Sequence, residues 1–356
     1  MNNKIEIQNQ EILLDGVKVG PKYKPYIVAE MSGNHNGDFN RALEIIKQAK
    51  ICGASAVKIQ TYKPETITID HDAPEFIKKD GLWKGRKLFD LYREAHTPWE
   101  WHEKLFDYAR KIGITLFSSP FDSTAVHFLE ELGNPFYKIA SPEIIDLPLI
   151  KEIAKTRKPL IISTGMASLE EIGDSINTAR ENGAKNIIVL HCTSAYPAPV
   201  NDSNLITIKK INEIFGVLTG LSDHTEGTII STIAVSLGAS LIEKHFTLNK
   251  NDKGVDSSFS IDKIELKKLV KDCNLSRLSI GEPAFKPTES EKVVLKNRRS
   301  LYVVEDIKKG SKLSISNIKS IRPGNGLAPK YLPKVLGRKA KRNLNFGEPL
   351  DENMFI

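Results

Sequence analysis

Residues 217–245 read VLTGLSDHTEGTIISTIAVSLGASLIEKH. An apolar run ending in Gly220-Leu-Ser-Asp-His-Thr225 gives way to a helical stretch, Thr228 to Leu237, closed by Gly238. A second apolar run, Ser240-Leu-Ile-Glu-Lys-His245, follows at once. The pattern predicts one βαβ step, whose two strands lie side by side in a parallel sheet. His224 and His245 then fall at or just past the C-terminal ends of neighbouring strands. Two imidazoles so placed can reach one divalent cation and leave positions open for water or substrate. A lone histidine there is more often a hydrogen-bonded core residue, so the reading depends on the rest of the chain.

The same step recurs from residue 26. Apolar strands are predicted at 26–30, 55–60, 114–118, 136–140, 159–163, 187–191, 217–221 and 241–245, with amphipathic helical stretches between most of them. Five helix-to-strand handovers share a glycine: Gly53, Gly113, Gly133, Gly183 and Gly238. Each is expected to take the left-handed conformation that stops a helix. Asp38 is a candidate N-cap for the first helix, and Ser168-Leu-Glu-Glu171 is a capping-box pattern. Eight alternating units predict an α/β fold, a (β/α)8 TIM barrel. A doubly wound open sheet is the alternative, but Glu30-Met-Ser-Gly-Asn-His-Asn-Gly37 lacks its usual G-x-G-x-x-G turn.

Ahead of the barrel, short apolar runs over 4–19 around Asp15-Gly16 predict a β-hairpin. The helical rhythm stops near residue 280. The expected division is a barrel domain over 1–280, a linker over 281–297 and a small C-terminal domain over 298–356. That tail carries a faint internal repeat, Asp306-Ile-Lys-Lys-Gly-Ser-Lys-Leu313 against Asn343-Leu-Asn-Phe-Gly-Glu-Pro-Leu350. Segment 62–102 is too long for an ordinary βα loop and holds Trp83, Trp99 and Trp101. It reads as a lid or pocket wall, or equally as extra packing.

Composition is that of an ordinary globular protein, with 356 residues, 40% hydrophobic and 27% charged. Neither a signal pattern nor an apolar run near 18 residues is present, so a cytoplasmic protein with no membrane partner is expected. Cys52, Cys192 and Cys273 are too widely spaced for a disulfide framework or a zinc motif. The net charge of +7 suits a small anionic substrate. No motif supports a nucleic-acid partner.

Side chains alternate along strands. Lys58 and Gln60 share the inward face with Ala56, Glu30 with Val28, Lys138 with Phe136, and Ser163 with Ile161. Charged groups inside a barrel need partners or a ligand. At the C-terminal mouth they lie where barrel enzymes do chemistry. Lysines and hydroxyls suit a phosphate and a carboxylate, and the histidines suit a metal.

These residues also carry a resemblance. Ala29-Glu-Met-Ser-Gly-Asn-His35, Val57-Lys-Ile-Gln-Thr61, Phe117-Ser-Ser-Pro-Phe121, Tyr137-Lys-Ile-Ala-Ser141 and Ser163-Thr-Gly-Met166 resemble the sialic acid synthase family. So do His191-Cys-Thr193 with Tyr196-Pro197, Gly220-Leu-Ser-Asp-His-Thr225 and Glu243-Lys-His-Phe-Thr247. The tail, with Ile321-Arg-Pro-Gly-Asn-Gly326, resembles that family's antifreeze-like (SAF) domain. The stretches 94–102 and 254–260 resemble the pseudaminic acid synthase branch.

The resemblance implies condensation of phosphoenolpyruvate with an N-acetylated amino sugar, giving a nonulosonic acid and phosphate. In the pseudaminic branch the sugar is 2,4-diacetamido-2,4,6-trideoxy-altrose. It implies Lys58, Ser119, Lys138, Ser141, Ser163, Ser194 and Ser222 as phosphoenolpyruvate contacts, and His224 and His245 as ligands of Mn2+ or Mg2+. Glu30 would handle the sugar, with Gln60, Tyr196 and Asp256 nearby. Arg322 would reach into the partner subunit's barrel, which implies a homodimer. Ser119 and Ser194 depart from the sialic acid branch, which often has Thr and Asn there. The alternatives are an N-acetylneuraminate or legionaminate synthase, a metal-free Schiff-base aldolase using Lys58 or Lys138, and a non-catalytic carbohydrate-binding protein built on the tail.

Overall fold

Eight parallel strands close on themselves in the computed structural model, which describes residues 11–356. An antiparallel hairpin comes first, β1 Ile12–Leu14 and β2 Val17–Val19. The part of the expected hairpin before residue 11 lies outside the described residues. The barrel strands are β3 Tyr26–Glu30, β4 Ala56–Thr61, β5 Thr115–Pro120 and β6 Tyr137–Ile139. They continue as β7 Leu160–Ser163, β8 Ile187–Cys192, β9 Leu218–Asp223 and β10 Leu241–His245. Neighbours follow chain order, and β10 pairs with β3 to complete the ring. The expected (β/α)8 barrel is therefore the fold, and the closing pair excludes an open doubly wound sheet.

The helices are α1 Phe39–Cys52, α2 Pro64–Ile67, α3 Leu88–Ala95, α4 Trp99–Ile112 and α5 Ser123–Glu131. After them come α6 Leu147–Lys155, α7 Leu169–Glu181, α8 Thr207–Phe215, α9 Ile229–Ser236 and α10 Lys263–Ile280. Asp38 caps α1 by accepting from the Asn40 and Arg41 N–H groups, and Ser168 with Glu171 forms the capping box of α7. The five handover glycines all have positive φ, between 73° and 114°. Strands β4, β5, β8 and β9 run one or two residues past their expected ends, because the polar residues there still pair across the ladder. Ser119 and Ser222 thus belong to strands rather than loops.

Alternation sorts the core into two layers. Ile27, Val57, Ile59, Leu116, Ile139, Ile162, Val189 and Ile242 face the helices. Tyr26, Val28, Ala56, Phe117, Phe136, Ile161, Ile188 and Leu241 fill the lumen, joined by Ile12, Leu14 and Val19 of the hairpin. The hairpin therefore plugs the end of the barrel where the strands begin. Each fully buried aliphatic side chain there is worth about 1.5–3 kcal/mol relative to exposure. With that end sealed, the opposite mouth is the opening left for chemistry.

The long β4–α4 connection forms α2, a 3-10 turn at Pro74–Phe76, a bridge between Ile77 and Lys87, and α3. Trp99 and Trp101 fall in α4. Trp99 stacks on Phe128 at 4.5 Å, and Trp101 meets the His35 and Phe39 rings at 5.4 and 5.6 Å. Both are packing residues. His102 is also buried, bonded to Thr61 at 2.8 Å. The 94–102 stretch that carries the branch resemblance is thus largely helix packing.

The chain divides into two units, one ending at Gly281 and the other Glu282–Ile356. Within the second, residues up to 299 are exposed, with short helices α11 Glu289–Lys292 and α12 Leu332–Val335 and an antiparallel pair, β11 Ser300–Val303 and β12 Ile318–Ile321. Its core is Leu301, Val303, Ile307, Leu313, Ile318, Val335, Leu344 and Leu350. The two copies of the sequence repeat pair with each other. Ile307 and Leu344 exchange two backbone bonds of 2.8 Å. Asp306 Oδ1 accepts the Phe346 N–H at 2.7 Å, and Asn343 Oδ1 accepts the Lys309 N–H at 2.8 Å. Among the described residues no helix is long and apolar enough to cross a membrane.

Gly220 in β9 supports the ring by its small size: a Cβ there would lie 2.3 Å from the Leu241 carbonyl oxygen and 2.6 Å from Leu190 Cδ2. Gly220→Ala is expected to cost about 1–3 kcal/mol by overpacking, read as a lower urea midpoint. A midpoint equal to that of the native chain would show that β9 and β10 do not approach so closely.

Candidate active site

Strand register brings the polar residues of the mouth to common levels. His245 pairs with Glu30 across the closing seam, Glu30 with Lys58, Gln60 with Ser119, and Glu243 with Ser222. Lys58 Nζ lies 3.1 Å from Glu30 Oε2, 3.5 Å from Glu243 Oε1 and 3.4 Å from Ser119 Oγ. Lys138 Nζ donates to Glu243 Oε1 at 3.0 Å, and Ser222 Oγ donates to the same oxygen at 3.3 Å. Gln60 Nε2 donates to Glu30 Oε1 at 2.9 Å and to Ser32 Oγ at 3.1 Å. All four charged groups are buried.

Burial opposes every one of these charges, and their mutual placement decides the outcome. Burial and the Glu243 charge raise Glu30, against the pull of Lys58. Glu243 is held well below the usual carboxylate range, because Lys138 and Lys58 outweigh its burial. The same two carboxylates raise Lys58 despite its burial. Lys138 is lowered by burial and by Lys58, with Glu243 as the main opposing influence.

Beside this cluster lies an aromatic one. The His224 and His245 rings are 5.4 Å apart. Tyr196 lies 4.3 Å from His224 and 6.1 Å from His245, and Phe259 lies 5.0 Å from His245. Trp83, from the β4–α4 insertion, packs 5.5 Å from Tyr196 and donates from Nε1 to the Val255 carbonyl at 2.9 Å. Of the three tryptophans, it is the one in this cluster.

The loop carrying His224 is tied down from the helix side. Asp223 accepts from Thr225 N, Thr225 Oγ1 and Ser231 Oγ, and pairs with the buried Lys244 at 2.9 Å. Asp256 accepts the Gly33 N–H at 3.1 Å, which joins the 250–262 loop to the turn after β3. Ser141 Oγ accepts the Gly165 N–H at 3.0 Å. A Cβ on Gly165 would lie 2.1 Å from Ser194 Oγ and 2.8 Å from Ser141 Oγ, so both hydroxyls crowd this glycine. Ser163 Oγ, at the end of β7, is buried with no hydrogen-bond partner among the described residues. Arg322 follows β12 in the second unit and is exposed.

The two imidazoles are of the kind that hold a divalent cation, and their rings lie side by side. His224 Nδ1 lies 3.0 Å from the Thr193 carbonyl oxygen, so Nδ1–H donates there and Nε2 keeps its lone pair. His245 Nδ1 is buried without a hydrogen-bond partner among the described residues. Burial and the nearby cationic groups hold the His245 ring well below its ordinary value, hence neutral. The Cys192 thiol, 3.9 Å from His224 Nδ1, works the other way and raises His224 against its burial. A ring proton and a cation compete for that imidazole. Among the described residues no group of three or more His, Cys, Asp and Glu side chains is arranged to hold a metal ion.

Two carboxylates escaped the sequence reading. Glu243 could have been found, since alternation in Leu241-Ile-Glu-Lys-His245 puts it on the face of His245. Glu143 had no such signal. It lies in the turn Ser141–Ile145 after β6, its Oε2 is buried without a hydrogen-bond partner among the described residues, and burial pushes it up to about 7.

The chain is similar to known proteins over most of its length. Residues 45–284 match the model of the NeuB family, and residues 298–356 match the SAF domain. The chain is 46% identical to a pseudaminic acid synthase of Helicobacter pylori over 92% of this chain and 96% of that one. It is 44% identical to a pseudaminic acid synthase of Campylobacter jejuni over 93% and 97%. Among solved structures, an N-acetylneuraminic acid (sialic acid) synthetase from Leptospira borgpetersenii, in complex with citrate, superposes with a TM-score of 0.72. It is 31% identical, over 80% of this chain and 95% of that one.

The raised Glu143 makes a signed prediction. Its folded value lies above the ordinary one, so stability attributable to it is full at low pH and is lost as pH rises from about 4.5 to about 7. Glu143→Gln removes that loss. The variant is expected to match the native chain near pH 4.5 and to exceed it by roughly 3 kcal/mol at pH 8, measured by urea unfolding at both values. A difference independent of pH would rule out the elevated carboxyl.

Proposed function

The chain belongs to the NeuB family and carries an SAF domain, and from that premise we propose that it condenses phosphoenolpyruvate with 2,4-diacetamido-2,4,6-trideoxy-altrose to give pseudaminic acid and phosphate. The observation that carries the chemistry is the convergence of Lys58, Lys138 and Ser222 beside the imidazole pair at the open end of the barrel. The choice of sugar rests on the pseudaminic acid synthases among the relatives.

In this reading Lys58 and Lys138, with Ser119, Ser141, Ser163, Ser194 and Ser222, bind the phosphate and carboxylate of phosphoenolpyruvate. Glu30, Gln60, Tyr196 and Asp256 orient the sugar. Mn2+ or Mg2+, held by His224 and His245, supplies Lewis acidity toward the aldehyde oxygen of the open-chain sugar when bound. The enol carbon of phosphoenolpyruvate attacks the aldehyde carbon and forms the new C–C bond, as the carbonyl π pair moves to the aldehyde oxygen. The cationic centre left at the phosphate-bearing carbon takes up water, with Glu30 accepting one proton and passing it to the alkoxide, which becomes the product hydroxyl. Phosphate then leaves with C–O cleavage and takes the remaining hydroxyl proton, and the carbon becomes a ketone.

The buried lysines stabilise charge throughout and need no covalent step. Lys58, pushed up by two carboxylates, is protonated and so a poor Schiff-base nucleophile. Residues 281–297 serve as a linker, Arg322 reaches the partner subunit's barrel in a homodimer, and the enzyme works in the cytoplasm.

Phosphoenolpyruvate offered with N-acetylmannosamine and with the diacetamido precursors of legionaminic and pseudaminic acids is expected to yield pseudaminic acid as the main product, read by mass spectrometry and phosphate release. Chelation should abolish turnover and Mn2+ should restore it. Condensation with N-acetylmannosamine alone would sink the sugar assignment, and turnover in chelator with borohydride trapping would favour the aldolase.

Subunit mixing tests the shared site. His245→Ala and Arg322→Ala chains are each expected to lose at least 90% of activity. Co-refolded, they should recover measurable turnover through mixed dimers that hold one intact site. No recovery despite confirmed mixed dimers would place Arg322 outside the partner's site.

A further inference from the structure

Three groups read above as phosphoenolpyruvate contacts converge on one oxygen. Glu243 Oε1 lies 3.0 Å from Lys138 Nζ, 3.5 Å from Lys58 Nζ and 3.3 Å from Ser222 Oγ. These groups come from β6, β4 and β9, and Glu243 comes from β10. Nothing in the backbone ladder links β6 to β10, which lie on opposite sides of the ring. The link is this carboxylate. Without it, two ammonium groups would face each other inside the lumen, each buried. Lysine stems are long and flexible, so such a pair would swing apart or lose a proton.

We propose that Glu243 is the positioning residue that holds Lys58 and Lys138 together, spaced and charged, for the phosphoenolpyruvate anion. This rests on the functional reading above and extends it to a residue outside the substrate contacts assigned there. Glu243 is suited to the task. Its strand fixes its backbone in the closing seam between β3 and β9. Its Oε2 is buried without a hydrogen-bond partner among the described residues, so no other donor there diverts the carboxylate. Lys58 has a second anchor in Glu30, at 3.1 Å, whereas among the described residues Glu243 is the one carboxylate paired with Lys138. Loss of Glu243 therefore falls most heavily on Lys138, whose charge burial already disfavours.

The consequence is selective. Phosphoenolpyruvate binding should suffer, while the sugar, oriented by Glu30, Gln60 and Asp256, should not. A general structural defect would weaken both. Calorimetry with phosphoenolpyruvate alone, without sugar and so without turnover, is the measurement. The chains are the native one, Glu243→Gln, Lys138→Met and the double variant.

Glu243→Gln is expected to weaken binding at least tenfold, with the sugar KM within twofold of native. The losses should fall well short of multiplying in the double variant, because Glu243 acts mainly through Lys138, which is then absent, and Lys58 keeps its Glu30 anchor. Glu243→Asp, which keeps the charge on a shorter stem, should fall between native and Glu243→Gln, and stands as the test if the amide variant does not fold. Native-like binding by Glu243→Gln, or losses that multiply in the double variant, would overturn the proposal. A native chain that fails to bind phosphoenolpyruvate would instead overturn the functional reading on which it rests.

Discussion

Two lysines and two carboxylates, buried together in a closed ring, form the constraint the barrel has to satisfy. Each alone would be costly to take out of water. Together Glu30, Lys58, Lys138 and Glu243 sum to no net charge, and the 3.0–3.5 Å separations along the chain of contacts keep it so. The closing β10–β3 pair is what makes this balance possible, since it sets Glu243 and His245 beside Glu30 and Lys58. An open sheet would leave those residues on opposite edges. The same balance keeps the lysines fixed before any anion arrives, so little reorganisation is left for the moment of reaction.

Much of this arrangement was legible in the chain, for a physical reason. Strand alternation is a rigid rule, so Lys58, Gln60, Glu30 and Lys138 could be aimed inward from sequence alone, and the contacts agree. Helix ends were equally plain, because Asp38, Ser168 and the handover glycines act locally. Strand ends were less so. Ser119 and Ser222 are polar and look like loop residues, but their pairing depends on neighbours distant in sequence. Glu243 obeys the same alternation, two residues before His245 and on the same face of β10. Glu143 was hidden in a different sense. No period governs a turn, and its burial arises from elements that only the fold assembles.

The β4–α4 insertion shows where composition misleads. Its three tryptophans do not form one wall: Trp99 and Trp101 lie in the first turn of α4 and pack on Phe128 and on His35 and Phe39. Trp83 alone of the three reaches the imidazoles, through Tyr196, and it is pinned by a carbonyl of the 250–262 loop. Two segments far apart in sequence therefore brace the same ring. Such a contact sets the shape of the cavity without belonging to any motif.

The reciprocal bonds of the tail have a consequence for how it is built. Asp306 serves the backbone of the second repeat and Asn343 that of the first, so each half completes the other's turn. Neither half can satisfy its own backbone, and the two must condense as a unit, in the manner of a dimer whose subunits have been fused. A chain severed in the stretch between the halves would keep all the reciprocal bonds available to it, and the fragments would have a reason to find each other again.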